Sequence, residues 1–388
     1  MKMNQVYEIL NTITNEILGE SVVVAEDLSN IVDVGTAYAN IEGGYENYVR
    51  KLNDHIGKVV FVDRIYRGRA PRVLMDGWEY GSILEKIRCK MPQATENESW
   101  ELEAGASYDP FIFTKPDIDV KFYNNRITFE IPMSFTEKQV KSAFSSAMQM
   151  NGFMSMIRTA IENSMTVKLD SLIMRTINAA IGETLYNEYT SGVYSGGSGV
   201  RAINLLYLYN STISTPISAN TAIYNPDFIR FASYTIKNYL SRMQTISTLF
   251  NIGGTEKFTP SDLQRVVMLD AFKNAADVYL YDANGQFRAD YIKFTDNVDT
   301  VPYWQGSGTG YSFSDISTIN IKTPTGHDVN ASGILAVAFD RDALGVANID
   351  RRTTTIYNPK AEFYNEWHKY DAGYFLDPNE NCLVFFVA

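Results

Sequence analysis

The residues of this sequence that could carry acid–base or metal chemistry are few and scattered. It has three histidines, His55, His327 and His368, each far from the other two. The HExxH pattern and paired Cys/His spacings that typify zinc sites are absent, as are a GxxxxGK(S/T) phosphate loop and a GxSxG nucleophile elbow. Gly306–Gly310 has GxG spacing but no strand before it, which favours a turn. These patterns predict no metal, cofactor or nucleotide site.

Two groups of residues imitate a catalytic arrangement. Asp340 and Asp342 flank Arg341, so alternation along a strand would put both carboxylates on one face. A salt-bridged turn at the end of a strand explains the same residues without chemistry. Glu366 lies two residues before His368 and could orient it as a base, but no nucleophile or metal ligand accompanies them. The sequence therefore predicts a satisfied histidine among aromatic side chains, and no enzyme.

The composition is that of a folded, acidic protein. Of 388 residues, 45% are apolar and 20% are charged, which argues against intrinsic disorder and leaves ample material for a core. The 25 tyrosines and 21 phenylalanines favour extensive contacts between subunits as well as a packed interior. A formal charge of −11 argues against tight nucleic-acid binding, which needs basic surfaces. The charge is compatible with a protein that encloses nucleic acid without binding it tightly, and equally with an ordinary acidic soluble protein.

The cysteines and the apolar segments indicate where the protein is made. Cys89 and Cys382 lie far apart and are expected to be buried free thiols in a reducing compartment. No apolar run follows Met1–Gln5, which predicts no secretory signal. No window of about 18 apolar residues is present that would span a membrane. We therefore expect the chain to be made in the cytoplasm and to have no membrane partner.

The first part of the chain is predicted to be an arm followed by strands and a long excursion. Residues 1–50 contain one amphipathic helix, near Val6–Leu18, and too little apolar mass to fold alone, so an arm lying on another surface is expected. Lys58–Val62 is predicted to be a strand. Alternation at 118–122 and 127–131 around Asn124–Asn125 predicts a β-hairpin. The excursion between these strands, 64–115, is longer than loops of compact domains usually are unless they have a function or contact a partner.

The excursion has a basic first limb and an acidic second limb. These limbs could pair with complementary patches on adjacent subunits, or they could be the mixed charge of a surface loop, and the sequence leaves both interpretations open. The candidate inter-subunit contacts are Arg64, Arg67, Arg69, Arg72, Glu96, Glu98, Glu101 and Glu103.

A long helix and an α/β region follow. Apolar residues recur at about every fourth position from Phe153 to Ile181, without proline, which predicts an amphipathic helix of about 30 residues. The glycine-rich segment Gly192–Gly199 predicts a flexible connector. The elements expected beyond it are a helix over Asp227–Phe250 with Asn225 as its cap and Pro226 in its first turn, a strand at Arg265–Leu269 and a helix over Lys273–Leu280.

The segment Gly333–Ala388 is rich in strand-forming residues. Ile334–Asp340 is predicted to be a strand, Phe363–Tyr370 is strongly aromatic, and Cys382–Ala388 is an apolar, β-favouring run at the end of the chain. Chain ends usually fray unless they are tied into a sheet. The last run is therefore predicted to be a buried strand that completes a sheet begun much earlier in the sequence.

The order of these parts resembles the Hong Kong 97-type fold of tailed-phage major capsid proteins. The residues that carry the resemblance are the runs Asp54–Val60 and Asp262–Asp270 and the block Asp340–Tyr370, which are most similar to those of small short-tailed phages (podoviruses, within Caudoviricetes). The resemblance implies an α+β fold. The parts it implies are an N-terminal arm at 1–53, a peripheral domain at 54–63 and 116–200 with a spine helix at about 150–187, an extended loop at 64–115, an axial α/β domain at 201–345 and a return to the peripheral domain at 346–388.

The resemblance also implies a function. It implies a major capsid protein that self-assembles, through pentamers and hexamers, into the icosahedral or prolate head shell of the virion. The shell would enclose packaged double-stranded DNA rather than bind it specifically, and a separate scaffolding protein and a portal would be partners. Two other hypotheses stay open, a minor head or decoration protein and an α/β enzyme with Asp340, Asp342 or His368 in a pocket. Formation of large particles by the purified chain would separate them.

Overall fold

A computed structural model describes most of the chain from residue 111 onwards and shorter pieces before it. The described residues are 3–18, 30, 33–34, 36–37, 47, 69–75, 83–92, 94, 96, 104–105, 111–136, 147–190, 192–279, 298–305, 310 and 312–388. The predicted strand at Lys58–Val62, and most of the arm beyond its helix, lie outside these residues. None of the described helices has an apolar stretch long enough to cross a lipid bilayer.

The described elements mix helices and strands, which confirms the α+β class. The helices are α1 Met3–Leu18, α2 Ala147–Glu188, α3 Leu205–Asn210, α4 Ala219–Ala222, α5 Pro226–Met243, α6 Asp270–Tyr279 and α7 Phe313–Ile316, with a 3-10 turn at Pro71–Val73. The strands are β1 Leu74–Met75, β2 Leu84–Cys89, β3 Ile118–Tyr123, β4 Arg126–Thr136, β5 Ala202–Asn204, β6 Gln264–Leu269, β7 Val298–Val301, β8 Ile319–Lys322, β9 Asp328–Ala331, β10 Ile334–Asp340, β11 Leu344–Asn358, β12 Phe363–Leu376 and β13 Cys382–Phe386.

The central sheet has the strand order β5-β13-β10-β6-β7 among the described residues. Every residue of β10 is buried, as are nearly all of β6 and β13, because their sequences are continuous apolar runs rather than alternating ones. The terminal strand β13 pairs antiparallel with β10 and parallel with β5, which confirms that the chain end closes a sheet begun much earlier. It lies with the strands of 201–345, however, and not with β11 and β12, so the expected return at 346–388 does not extend to these last residues.

A second sheet has the order β1-β11-β12-β4 within the described part of the chain. Its strands β11 and β12 form a long antiparallel hairpin from Leu344↔Leu376 to Asn358↔Phe363. The Asn358 side-chain oxygen accepts backbone N–H bonds from Lys360 at 3.1 Å and Ala361 at 3.3 Å, which closes the turn.

The helix α2 connects the two sheets by contacting strands of both. The predicted apolar row is confirmed where side chains are described, since Ile161, Leu169, Ile173, Ile177 and Ile181 are all buried. Each such side chain stabilises the fold by roughly 2 kcal/mol. At 42 residues the helix is longer than the apolar spacing predicts, and it continues through the glycines at 152 and 182. A Cβ at 182 would lie 2.8 Å from Ile321 Cδ1, so glycine here permits close approach to β8.

The helix α5 begins as predicted but ends earlier. The Asn225 side chain accepts N–H bonds from Asp227 at 2.9 Å and Phe228 at 3.1 Å, which confirms the cap. The helix ends at Met243 rather than at Phe250. The Met243 carbonyl accepts a hydrogen bond from the Thr259 N–H at 2.7 Å instead of from a following turn of helix, and the chain leaves the helix axis there.

The predicted hairpin around Asn124–Asn125 is wrong. The strand β3 pairs with β2, and β4 pairs with β12, so the two halves of the expected hairpin join different partners. A two-residue hairpin turn needs positive φ, and among the described residues Glu362 is the only non-glycine with one. The two asparagines instead lie at a bend between two sheets.

Asp371 is expected to make the second sheet sensitive to acid. It is fully buried, and although burial opposes its charge, hydrogen bonds from Thr128, Arg352 and Arg126 lower its pKa to about 2. Since an unfolded aspartate has a pKa of about 3.9, its ionised form stabilises the fold by about 2 kcal/mol above that pH and loses this contribution as pH falls towards 2. Asp371→Asn should lower the free energy of unfolding at pH 7 by about this amount, and the deficit should shrink below pH 4.

Denaturant titrations of the unassembled chain at pH 7 and pH 3 measure this effect. Asp350→Asn is the matched control, because Asp350 pairs with the same Arg352 at 2.9 Å but is half exposed. An equal loss in both variants, or a deficit in Asp371→Asn that does not change with pH, would contradict the assignment.

Candidate functional site

The strands β2 and β3 form a two-stranded antiparallel ribbon. Their register runs from Leu84↔Tyr123 at the base to Cys89↔Ile118, and the Lys90 N–H continues it to the Asp117 carbonyl at 2.8 Å. Because both strands alternate, the ribbon has two chemically different faces.

One face of the ribbon is apolar and exposed. It carries five apolar side chains, which we call the apolar ribbon face, and Glu85 lies at its edge opposite Phe122: the five are Ile87, Cys89, Ile118, Val120 and Phe122. Ile87 is 64% exposed and Phe122 is 65% exposed, and the connection between the strands adds an exposed Phe111–Phe113. Single apolar side chains on a surface are ordinary, but a contiguous group of this kind marks an interaction surface. The expectation that both cysteines are buried is wrong for Cys89, which is exposed because it lies on this face.

The opposite face of the ribbon is cationic and lies on the rest of the chain. Lys86 Nζ lies 2.9 Å from Asp377 Oδ2, and Lys121 Nζ lies 2.9 Å from Asp377 Oδ1. Glu380 pairs with Lys86 and Arg88 through one oxygen and with Lys257 Nζ at 3.2 Å through the other. We call these six residues the anchor cluster: Lys86, Arg88, Lys121, Lys257, Asp377 and Glu380.

The carboxylates of the anchor cluster come from the turn between β12 and β13. Asp377 and Glu380 are 2% and 3% exposed, and the Asp377 N–H donates to the Ala343 carbonyl at 2.6 Å, which fixes the turn. Burial opposes ionisation of Asp377, but hydrogen bonds from Lys121 and Lys86 outweigh it and hold its pKa below the ordinary value. At the base of the ribbon the Tyr123 ring lies 5.4 Å from that of Phe375, and burial together with the Asp377 carboxylate raises the pKa of Tyr123.

The residues predicted as inter-subunit contacts are not brought together by the described structure. Arg69 Nε lies 2.7 Å from Asp170 Oδ2 on α2, and Arg72 Nη1 lies 3.0 Å from Asp299 Oδ1, so both guanidinium groups are engaged within the chain. Glu96 is exposed. The other predicted contacts lie outside the described residues, namely Arg64, Arg67, Glu98, Glu101 and Glu103.

The apolar ribbon face was missed by sequence reasoning. The alternation of Ile118, Val120 and Phe122 predicted a hairpin with residues 127–131 and gave no indication of the actual partner, β2. Alternation predicts that two faces differ, and it cannot tell which face meets the core of the same chain. The alternating Lys86, Arg88 and Lys121 on the other face were the available signal.

The carboxylates that imitated a catalytic pair have structural roles. Asp340 accepts the Thr259 hydroxyl at 2.7 Å and the Asp342 N–H at 2.9 Å, and Arg341 Nε lies 3.5 Å from Asp342 Oδ1, which confirms the salt-bridged turn. Burial raises the pKa of Asp340. Over the described part of the chain, no three histidine, cysteine, aspartate or glutamate side chains are grouped so as to bind a metal ion.

His368 is buried, but the prediction that it is satisfied is only half right. Its Nδ1 lies 3.1 Å from the Thr353 hydroxyl. Its Nε2 lies 3.4 Å from Glu366 Oε2 without forming a hydrogen bond, and neither carboxylate oxygen of Glu366 has a hydrogen-bond partner. Both side chains are at most 2% exposed, so a substrate has no access to them.

Comparison with known proteins identifies one family over nearly the whole chain. A sequence model described as Phi29-like phage major capsid protein matches residues 10–386. Among curated proteins, no sequence matches this chain.

Solved phage capsids resemble the chain at low identity. The capsid of Staphylococcus phage Andhra has a TM-score of 0.47 at 11% identity, over 81% of this chain and 83% of that chain. The mature capsid of bacteriophage PhiM1 has a TM-score of 0.42 at 9% identity, over 84% and 88%. The capsid of the cyanophage P-SCSP1u has a TM-score of 0.41 at 8% identity, over 81% and 86%. With these scores below 0.5, the assignment of the chain rests on the sequence match.

Proposed function

Since the chain belongs to the family of Phi29-like phage major capsid proteins, we propose that its apolar ribbon face is a principal contact by which one subunit holds the next in the head shell. The chain is a structural protein of a bacteriophage head and not an enzyme.

The observation that supports the proposal is the opposition of the two ribbon faces. The cationic face is paired with carboxylates of its own subunit, so the apolar face points away from that subunit. A contiguous group of exposed apolar side chains favours association, and aromatic side chains such as Phe122 are typical of interface centres. A shell repeats one contact many times, so each copy needs only modest stability. A second copy of this chain is therefore the proposed occupant.

The oppositely charged limbs of the excursion are proposed to add to this contact. Arg64 and Arg67 would face Glu96, Glu98, Glu101 and Glu103 of neighbouring subunits, because complementary charges steer association and fix register. Arg69 and Arg72 are left out of the proposal, since they pair within the chain.

The proposed domains follow the sheets. The arm is 1–53, the extended loop is 64–115 with its ribbon completed by β3, and the peripheral domain contains α2 and the sheet of β4, β11 and β12. The axial domain is 201–345, and its sheet includes the terminal strand β13, which was expected elsewhere.

The remaining partners are proposed from the family and from the charge of the chain. A separate scaffolding protein and a portal would assist assembly in the host cytoplasm into pentamers and hexamers, in the manner of short-tailed phages. Packaged double-stranded DNA would be enclosed rather than gripped, because a formal charge of −11 does not favour binding to phosphates.

Electron microscopy of the purified chain, alone and with candidate scaffolding proteins, tests the proposed assembly. We expect closed shells or uniform tubes in at least one condition. A decoration or minor head protein would instead remain small and bind only preformed shells. A stable monomer under all conditions would overturn self-assembly as the activity of this chain.

A further inference from the structure

Within the described part of the chain, β2 and β3 pair with each other, and the anchor cluster joins them to the rest of the subunit. We propose that Asp377 and Glu380 form an ion-pair receptor that fixes the orientation of the ribbon on its own subunit, and that neutralising them releases the ribbon while both sheets stay folded. The receptor is a property of the isolated chain. Its use in presenting the apolar ribbon face to a neighbour rests on the proposed function.

The register of the ribbon places two positive charges opposite each other. Lys86 lies directly opposite Lys121 on the same face. Like charges in directly opposed positions destabilise a strand pair. Asp377 removes this conflict, because each of its two oxygens lies 2.9 Å from one of the two ammonium groups. The ribbon sequence is therefore suited to docking on a carboxylate and not to standing free in solvent.

In the docked ribbon, every N–H donor of the Lys86 ammonium group has a hydrogen-bond acceptor. An ammonium group has three N–H donors. Lys86 Nζ uses them on the Asp342 carbonyl at 3.0 Å, on Asp377 Oδ2 at 2.9 Å and on Glu380 Oε1. Three acceptors arranged around one ammonium group form a specific binding site for Lys86, unlike a single ion pair on a surface.

The carboxylates of the receptor are buried. Asp377 and Glu380 are almost inaccessible to water, whereas their ribbon partners Lys86, Arg88 and Lys121 are partly exposed. Buried carboxylates need partners, and removal of the ribbon would leave Asp377 without its two ammonium partners. Glu380 would retain Lys257, which belongs to the body of the subunit. Undocking the ribbon would therefore cost more free energy at Asp377 than at Glu380.

The cluster acts beyond the base of the ribbon. At the base, Tyr123 packs on Phe375 and holds the point where the ribbon joins the sheet. Lys121 lies two residues further out, and Arg88 is four residues beyond the base residue Leu84. Fixing both the base and these outer positions determines the angle of the ribbon, and hence the direction of Phe122 and Val120. Without the receptor, the base would act as a hinge.

Trypsin cleavage of the full-length, unassembled chain tests the receptor. Trypsin must take a lysine or arginine side chain into its own pocket, so Lys86, Arg88 and Lys121 should resist cleavage while the ribbon is docked. In the double variant Asp377→Asn/Glu380→Gln, cleavage after these residues should become about tenfold faster or more, relative to cleavage after the exposed Lys360 in the turn between β11 and β12, because proteolysis follows the population of the open form.

Asp117→Asn is the matched control. It removes a salt bridge at the outer end of the same ribbon, to Lys90 at 2.6 Å, in which both side chains are more than half exposed. Cleavage after Lys86, Arg88 and Lys121 should stay within about twofold of the wild-type rate in this variant. Equal protection in the double variant and the wild type, at unchanged unfolding midpoints, would overturn the proposal.

A second measurement keeps the test valid if the double variant does not fold. Lys121→Met removes one cation and keeps both buried carboxylates partnered by Lys86, and it should still raise cleavage after Arg88. A spin label on the exposed Cys89 reports ribbon motion directly, while burial raises the pKa of Cys382 to about 11 and keeps that thiol unreactive. An immobile label and unchanged Arg88 cleavage in Lys121→Met would contradict the proposal.

Neither readout involves a second subunit. If the carboxylates prove not to hold the ribbon, the proposed contact between subunits is unaffected, because shell formation is measured separately. If the variants of the apolar ribbon face still form shells, the role of Asp377 and Glu380 within the subunit is likewise unaffected.

Discussion

Changing Val120 and Phe122 to serine together is expected to abolish shell formation and to leave the isolated subunit folded. The two side chains are 40% and 65% exposed in the subunit, so their loss should change the free energy of unfolding by less than about 1 kcal/mol. In the shell they would be buried against a neighbour, where each apolar side chain contributes roughly 1.5–3 kcal/mol. The loss recurs at every copy, so the yield of shells should fall below detection.

Electron microscopy and sedimentation of the variant, compared with its unfolding curve, measure the two effects separately. Serine is chosen because aspartate at position 122 would oppose Glu85 and add repulsion within the ribbon. Val278→Ser is the control, since Val278 is 62% exposed and belongs to α6 rather than to the ribbon. Shells of Val120→Ser/Phe122→Ser at the wild-type yield would exclude the ribbon face as a principal contact.

Gly333→Ala is expected to cause the largest loss of subunit stability. Gly333 has φ +80°, and a Cβ there would lie 2.0 Å from the Val387 carbonyl oxygen, a backbone atom that cannot move without displacing the last strand. The Gly333 carbonyl also accepts the Val387 N–H at 2.9 Å, which holds the chain end against the start of β10. Backbone strain and overpacking together should cost roughly 3–5 kcal/mol.

Gly326→Ala separates these two causes. Gly326 has φ +94° but open space where a Cβ would go, so only the backbone strain applies and the cost should be about 1–2 kcal/mol. Denaturant unfolding followed by tryptophan fluorescence measures both variants. Trp304 is buried and donates from Nε1 to the Ile334 carbonyl at 2.8 Å, next to the altered residue. Equal losses in the two variants would contradict the proposed clash with Val387.

Many elements of the fold were predictable because their signals are local. The apolar spacing along α2, the cap at Asn225 and the apolar runs of β6, β10 and β13 each depend on residues within a few positions of one another. The apolar spacing predicted a shorter α2, because the close packing against Ile321 that favours glycine at 182 comes from a distant strand.

The candidate site was much less predictable, because its contacts join distant parts of the chain. Lys86 and Asp377 are 291 positions apart, and Arg72 and Asp299 are 227 apart. A basic limb in the sequence therefore predicted charge at a surface but not which carboxylates neutralise it. The same holds for β3, whose alternation suits either β2 or β4 as a partner.

The sequence by itself determined the types of the elements, their approximate order and the family resemblance, since periodicity and capping act over short distances. Only the tertiary structure decided which strands pair, which face of the ribbon meets its own subunit, and which is left exposed. The reason is physical: alternation makes two faces of a strand different, but burial is decided by what lies opposite each face. Asp377 and Glu380, contributed by the turn between β12 and β13, pair with the cationic face and leave Phe122 and its neighbours exposed.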